Sequence, residues 1–264
     1  MGTDSVRTAP DVADGLLGAR FRWIAVRALA AAIAGVVVLG IGGRLVMLAS
    51  RLLHPDAVGR FTEGGNLIGK FTLGGTVALV LFGGLGSGLI AGVVWVFIRE
   101  WIPDNSWLVG FGAMLIGGFA LVEADNRDFV ILGDPLVDVV MLLALVFTFG
   151  VTVLRLDRWL DRRLPSGNTG WTVGYAAISL VGVPLLIPAF GNFFSRDFCF
   201  CHSPPIWTGV FLSVAAAASV TWWVLDFRQV SAVSRVLPRL GQLAVVGAVI
   251  AGGVHLTAQI VAIL

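Results

Sequence analysis

The chain has 264 residues, of which 57% are hydrophobic and 13% charged, with 18 basic against 16 acidic residues and a formal net charge of +2. Soluble domains carry about 25% charged residues, so this composition, with a mean hydropathy of +0.92, excludes an ordinary soluble domain and points into lipid. The basic residues are scattered between apolar stretches, which speaks against a nucleic-acid partner and makes them a topology signal.

In chain order, residues 1–21 are polar and read as a disordered cytoplasmic arm. Residues 22–264 read as one transmembrane domain. Its seven apolar stretches, 23–49, 72–98, 107–124, 135–154, 171–194, 206–225 and 241–263, each approach the roughly 20 residues that cross a ~30 Å hydrocarbon core as a helix. The expected fold is therefore all-α, an integral membrane seven-helix bundle in the cell membrane.

Small residues mark where these helices should meet, because lipid offers no hydrophobic drive and close backbone approach must supply the contact. The second span carries Gly84, Gly88 and Gly92 at four-residue spacing, with Gly83, Ser87 and Ala91 on the adjoining row, and reads as a buried central helix. The third offers Ala113 and Gly117; the seventh pairs Gly247 with Ala251 and Ala248 with Gly252. Such faces could also join copies into an oligomer. Pro184 and Pro188 predict a kink in the fifth span.

Twelve basic residues (Arg7, Arg20, Arg22, Arg27, Arg99, Arg155, Arg158, Arg162, Arg163, Arg228, Arg235 and Arg239) fall in alternate connections, against five on the other side: Arg51, Arg60, Lys70, Arg127 and Arg196. The positive-inside rule then puts the N-terminus in the cytoplasm and Leu264 outside. Eight of the nine tryptophans fall at the expected cytoplasmic ends and read as an interfacial belt, with only Trp207 opposite.

The titratable groups are unevenly placed in depth. Arg44, Glu123 and His255 fall in the outer part of the membrane, Glu123 ~25 Å up the third span by helical rise. They join Arg51, His54, Glu63, Asp125, Asp128 and Asp138 on that side, while the middle of every span has no Asp, Glu, Lys or Arg. An intramembrane Arg needs an acidic neighbour. Burial would raise one carboxylate's pKa while Arg44 holds another ionised, the arrangement that acid-base chemistry uses. The catalytic candidates are Glu63, Glu123 and Asp125; the substrate-binding candidates are Arg44, Arg51, Asp128, Asp138 and His255.

Each has a plainer reading beside it. Asp134 and Pro135 form a helix start whose dipole favours Asp138 in the first turn, and the stretch from Glu123 to Asp128 could be a solvated turn. The glycines around Glu63 permit either approach to a ligand or a tight loop. Cys199, Cys201 and His202 leave open a metal, an exofacial disulfide or plain thiols; no metal site is assigned. No cofactor is assigned either. The Phe-rich stretch from Phe190 to Phe200 reads as a loop resting on the bilayer or as the lip of a lipid-accessible pocket.

Gly42-Gly43-Arg44-Leu45-Val46-Met47, Thr62-Glu63-Gly64-Gly65, Thr72-Leu73-Gly74-Gly75-Thr76 and Asp125-Asn126-Arg127-Asp128-Phe129 resemble an uncharacterised group of polytopic membrane proteins from high-GC Gram-positive bacteria. The resemblance covers roughly the first four helices and implies a shared bundle, with no activity. The leading functional expectation is an outward-facing acidic pocket in a membrane enzyme, doing acid-base chemistry on an apolar lipid or isoprenoid. Its alternatives are a secondary transporter and a noncatalytic accessory subunit of a membrane complex.

Overall fold

The computed structural model describes residues 9–61, 72–132, 134–165, 169–199, 203–228 and 236–264. Among the described residues, seven long apolar helices carry the fold: α1 (Gly15–Leu53), α2 (Leu73–Trp101), α3 (Ser106–Ala120), α4 (Pro135–Arg163), α5 (Gly170–Gly191), α6 (Ile206–Phe227) and α7 (Val236–Ile263). Among the described residues there is no strand. All but α3 are long and apolar enough to cross a membrane.

The helix that becomes α1 already begins at Ala9, inside the expected arm. Arg20 ties this stretch down, reaching Glu100 and Asp226 at 3.0 Å each. The third span ends earlier than expected. Gly117 and Gly118 adjoin, helix propensity falls, and a tight turn at Gly118–Ala120 closes α3. Glu123 therefore lies in the irregular chain beyond α3 and not within a helix. The fifth span stays one helix through Pro184 and Pro188.

The glycine rows pack as backbone contacts. Gly84, Gly88 and Gly92 are buried against α1, where a Cβ on Gly88 would meet the Ala31 carbonyl oxygen at 2.7 Å and Gly35 Cα at 2.9 Å. At this crossing both helices adopt π-helical geometry, over Gly35–Gly42 in α1 and Leu79–Gly86 in α2, and the two segments pack on each other. The enclosed helix is α1, not α2 as expected: 56% of its apolar window is buried against 22% for α2. The reason is position, since α1 is flanked by α2, α4 and α5. Elsewhere Gly150 of α4 seats against Ala113 and Gly110 of α3, Gly247 of α7 against the Phe211 ring of α6, and Gly252 of α7 against the Leu115 carbonyl of α3.

Cross-helix contacts sort the connections into two ends. Arg20, Arg22, Arg27, Glu100, Asp104, Asp157, Asp161 and Asp226 share the basic end. At the opposite end Ser50 and His54 meet Asp138, Arg60 reaches the Ile131 carbonyl, and Gln259 meets the chain after α3. The tryptophans at the basic end divide. Trp107, Trp159 and Trp171 are exposed as a belt requires, whereas Trp95 and Trp101 are core residues and Trp23 packs edge-on against Trp223. The interfacial reading therefore applies to only part of the set.

Candidate functional site

The expected site residues occupy two settings at the end opposite the basic one. Asp138, in the first turn of α4, is buried, and Ser50 Oγ donates a 2.8 Å hydrogen bond to its Oδ1. His54 Nε2 stands 3.4 Å from the other carboxylate oxygen. Ser50 and His54 lie one turn apart along α1 and its C-terminal cap, so their side chains reach the same neighbour. Asp134 occupies the N-cap position of α4 but makes no side-chain cap hydrogen bond.

The second setting is the end of α3 and the facing turn of α7. The Glu123 carboxylate acts electrostatically on His255, whose ring meets Phe119 edge-on at 6.4 Å. The Ala124 N–H donates to Gln259 Oε1 at 2.8 Å and fixes the chain beside it. Asp125 is exposed; Asp128 is half-buried, its N–H donating to Asn126 Oδ1 at 2.9 Å. Arg44 extends toward α2, its Nη1 3.7 Å from Met47 Sδ and its Nη2 beside Gly75. Arg51 is half-buried in the last turn of α1. Glu63, Cys201 and His202 lie outside the described residues.

The basic end holds a charge network whose centre the sequence reading passed over. Asp157 of α4 is 1% exposed and stands between Arg99 Nε of α2 at 2.7 Å and Arg27 Nε of α1 at 3.5 Å. Arg99 also pairs with Asp104, and Arg27 with Asp161 at 3.6 Å. The Arg99 guanidinium beside Asp104 holds that exposed carboxyl below the usual carboxylate range. A buried carboxylate is tolerated here because two guanidinium groups offset its desolvation. One side chain thus joins three helices.

Between the two ends lies a cavity of about 690 Å³. Its wall is built by α1, α2, α3, α4, α7 and the end of α5, through residues such as Leu39, Val94, Ile116, Phe149, Phe193 and Val249. The row Gly83, Ser87 and Ala91 of α2 faces it, so the small side chains beside the packed glycine row leave space. Phe193, from the Phe-rich stretch, is part of the wall at the end opposite the ion pairs. Among the described residues no Asp, Glu, His, Lys or Arg lines the cavity. Neither Glu123, Asp125 nor Asp138 reaches it.

Length and apolarity of the helices define a multi-pass integral membrane protein, and the interior of the bundle carries a large apolar cavity. No protein-family model, curated protein or solved structure matches the chain.

Proposed function

We propose that this protein holds a lipid or isoprenoid chain within its bundle in the cell membrane, with the N-terminus cytoplasmic and the C-terminus extracytoplasmic. The observation that carries the reading is the cavity of about 690 Å³, inside the range of about 300–1,000 Å³ typical of small-molecule sites. Its apolar wall suits a hydrocarbon chain and would charge a heavy desolvation penalty to an ion or sugar.

The test is to identify what remains bound after purification in mild detergent. Wild-type protein is expected to retain an apolar lipid at close to one per chain by native mass spectrometry. Gly112→Phe should release it, because Gly112 lines the cavity and a Cβ there meets only Val249, at 3.9 Å. Equal retention by a folded Gly112→Phe protein refutes the reading. Orientation is checked separately, by a reporter fused after Leu264 that matures only outside the cytoplasm.

A second reading is the acid-base enzyme, favoured by the buried Asp138 with Ser50 and His54 around it. It predicts that Asp138→Asn changes the membrane lipid profile of cells while leaving the amount of cavity lipid unchanged.

A further inference from the structure

We infer that the basic end of α4 is a binding site for an anionic phospholipid, whose phosphate is held by Arg155, Arg162 and Arg163 around the Trp159 ring. The site is separate from the cavity, which none of these residues lines. Each of them is exposed, Trp159 to 51%. Their spacing along the helix puts them on one side, within about 100° of arc.

The same side of α4 carries exposed Val140, Ala144 and Thr148. It therefore faces lipid, and it turns basic where the helix leaves the hydrocarbon. A rise of ~30 Å from Pro135, the thickness of the hydrocarbon core, ends at Arg155. Trp159 follows one turn later, at the depth where indoles prefer the interface. The Arg163 guanidinium stands over its ring, 5.7 Å from the centroid. This last stretch of α4 is thus at the level of lipid phosphates, in the cytoplasmic leaflet for the orientation proposed above.

Other arginines of this end take their anions from the chain. Arg20 pairs with Glu100 and Asp226, Arg22 with Asp161, Arg27 and Arg99 with Asp157, and Arg158 with Asp104. Asp161, the acid next to Arg162 in sequence, is turned toward α1 by Arg22 and Arg27. Among the described residues Arg155, Arg162 and Arg163 pair with no carboxylate; Arg162 Nε donates to the Arg158 carbonyl at 3.0 Å, within its own helix. The helix dipole accounts for cations in the last turn, where Arg162 and Arg163 lie, but Arg155 stands two turns before the end. A charged group at the edge of a span takes a counter-charge. No described carboxylate supplies one here, so the phosphate of the adjoining lipid does. Guanidinium groups suit that role, because their paired N–H donors match phosphate oxygens. A lipid of net negative charge is selected, since a zwitterionic head would bring its own ammonium among three cations.

Full-length protein in mild-detergent micelles, titrated with phosphatidylglycerol, a two-phosphate cardiolipin, phosphatidylcholine or inorganic phosphate, tests this by native mass spectrometry. Both anionic lipids should bind more tightly than phosphatidylcholine and weaken as salt rises, and inorganic phosphate at matched concentration should not displace them. Arg155→Gln should weaken phosphatidylglycerol about fivefold, and the combined Arg155→Gln, Arg162→Gln and Arg163→Gln variant about a hundredfold, from the usual contribution of each basic residue near an anionic surface. A variant with Arg60→Gln, Arg127→Gln and Arg196→Gln removes the same charge at the far end and should bind as wild type does. Equal losses in the two triple variants would reduce the effect to net charge and overturn the inference. So would undiminished binding after the α4 substitutions, a wild-type protein that does not distinguish phosphatidylglycerol from phosphatidylcholine, or displacement of the lipid by inorganic phosphate. Circular dichroism checks that each variant keeps its helices, and Arg155→Gln alone decides the matter if the triple variant does not fold. The cavity reading survives any of these results, because its own test follows a different lipid.

Discussion

Substituting Gly35 by Ala tests the backbone contact between α1 and α2. The added Cβ would fall 2.4 Å from the Gly84 carbonyl oxygen, 2.6 Å from Gly88 Cα and 3.0 Å from Gly88 N. Carbon contacts rest near 3.5–4.0 Å, so the helices must part by about 1 Å at this crossing. All three neighbours are backbone atoms and none can rotate aside. Overpacking of this kind costs about 1–3 kcal/mol, offset in part by the roughly 1 kcal/mol that Ala gains over Gly in a helix. A net loss of about 0–2 kcal/mol is expected, set against a gain of up to about 1 kcal/mol where the added methyl meets nothing. Gly40→Ala should be milder, since its nearest neighbour is Val80 Cα at 3.1 Å, and Gly74→Ala should cost nothing, having no atom within 4 Å. Reversible unfolding in mixed detergent micelles would rank the three. If Gly35→Ala is as stable as Gly74→Ala, the close crossing does not exist.

Asp157→Asn leaves Arg27 and Arg99 buried beside a neutral amide; a loss of about 3–5 kcal/mol is expected in the same assay, and a change under 1 kcal/mol would contradict the network. Asp104 has its folded pKa depressed by Arg99, so its contribution is present at neutral pH and lost as pH falls through the folded value, below about pH 4. Asp104→Asn should flatten that acid limb of the stability profile, and a profile identical to wild type would contradict the pairing. Gly241→Ala would drive a Cβ to 2.4 Å from the Trp101 ring. Fluorescence should report displacement of that indole, and protection of its N–H from exchange should fall as the Ser219 bond is broken.

Much of the architecture was legible because lipid leaves so few options: apolar stretches of spanning length must be helices, and the alternate clustering of Arg anticipated the two ends. The packed row Gly84, Gly88 and Gly92 was legible for the same reason. Asp157 was not, because Arg155-Leu156-Asp157-Arg158 looked like a charged connection when α4 in fact continues to Arg163. A helical reading carried further would have placed Asp157 on the stripe of Val146, Phe149, Gly150, Val153 and Leu160, all buried. Trp95 was absorbed into the interfacial belt by its height alone, since depth along a helix does not say which way a ring faces. The cavity was legible nowhere, because an empty volume is set by how several apolar walls stand apart, and no pattern within one helix encodes that distance.

The buried carboxylate that joins α1, α2 and α4 makes the bundle asymmetric from end to end. Spreading these helices at that end would strand one anion or two cations in a medium that solvates neither, so the seam there acts as a fixed base. The far end is joined differently, through the Ser50 and His54 contacts with Asp138, the Arg60 bond to the Ile131 carbonyl and the Ala124 bond to Gln259. The three helices are thereby riveted at the arginine end, as the arms of tweezers are at their hinge.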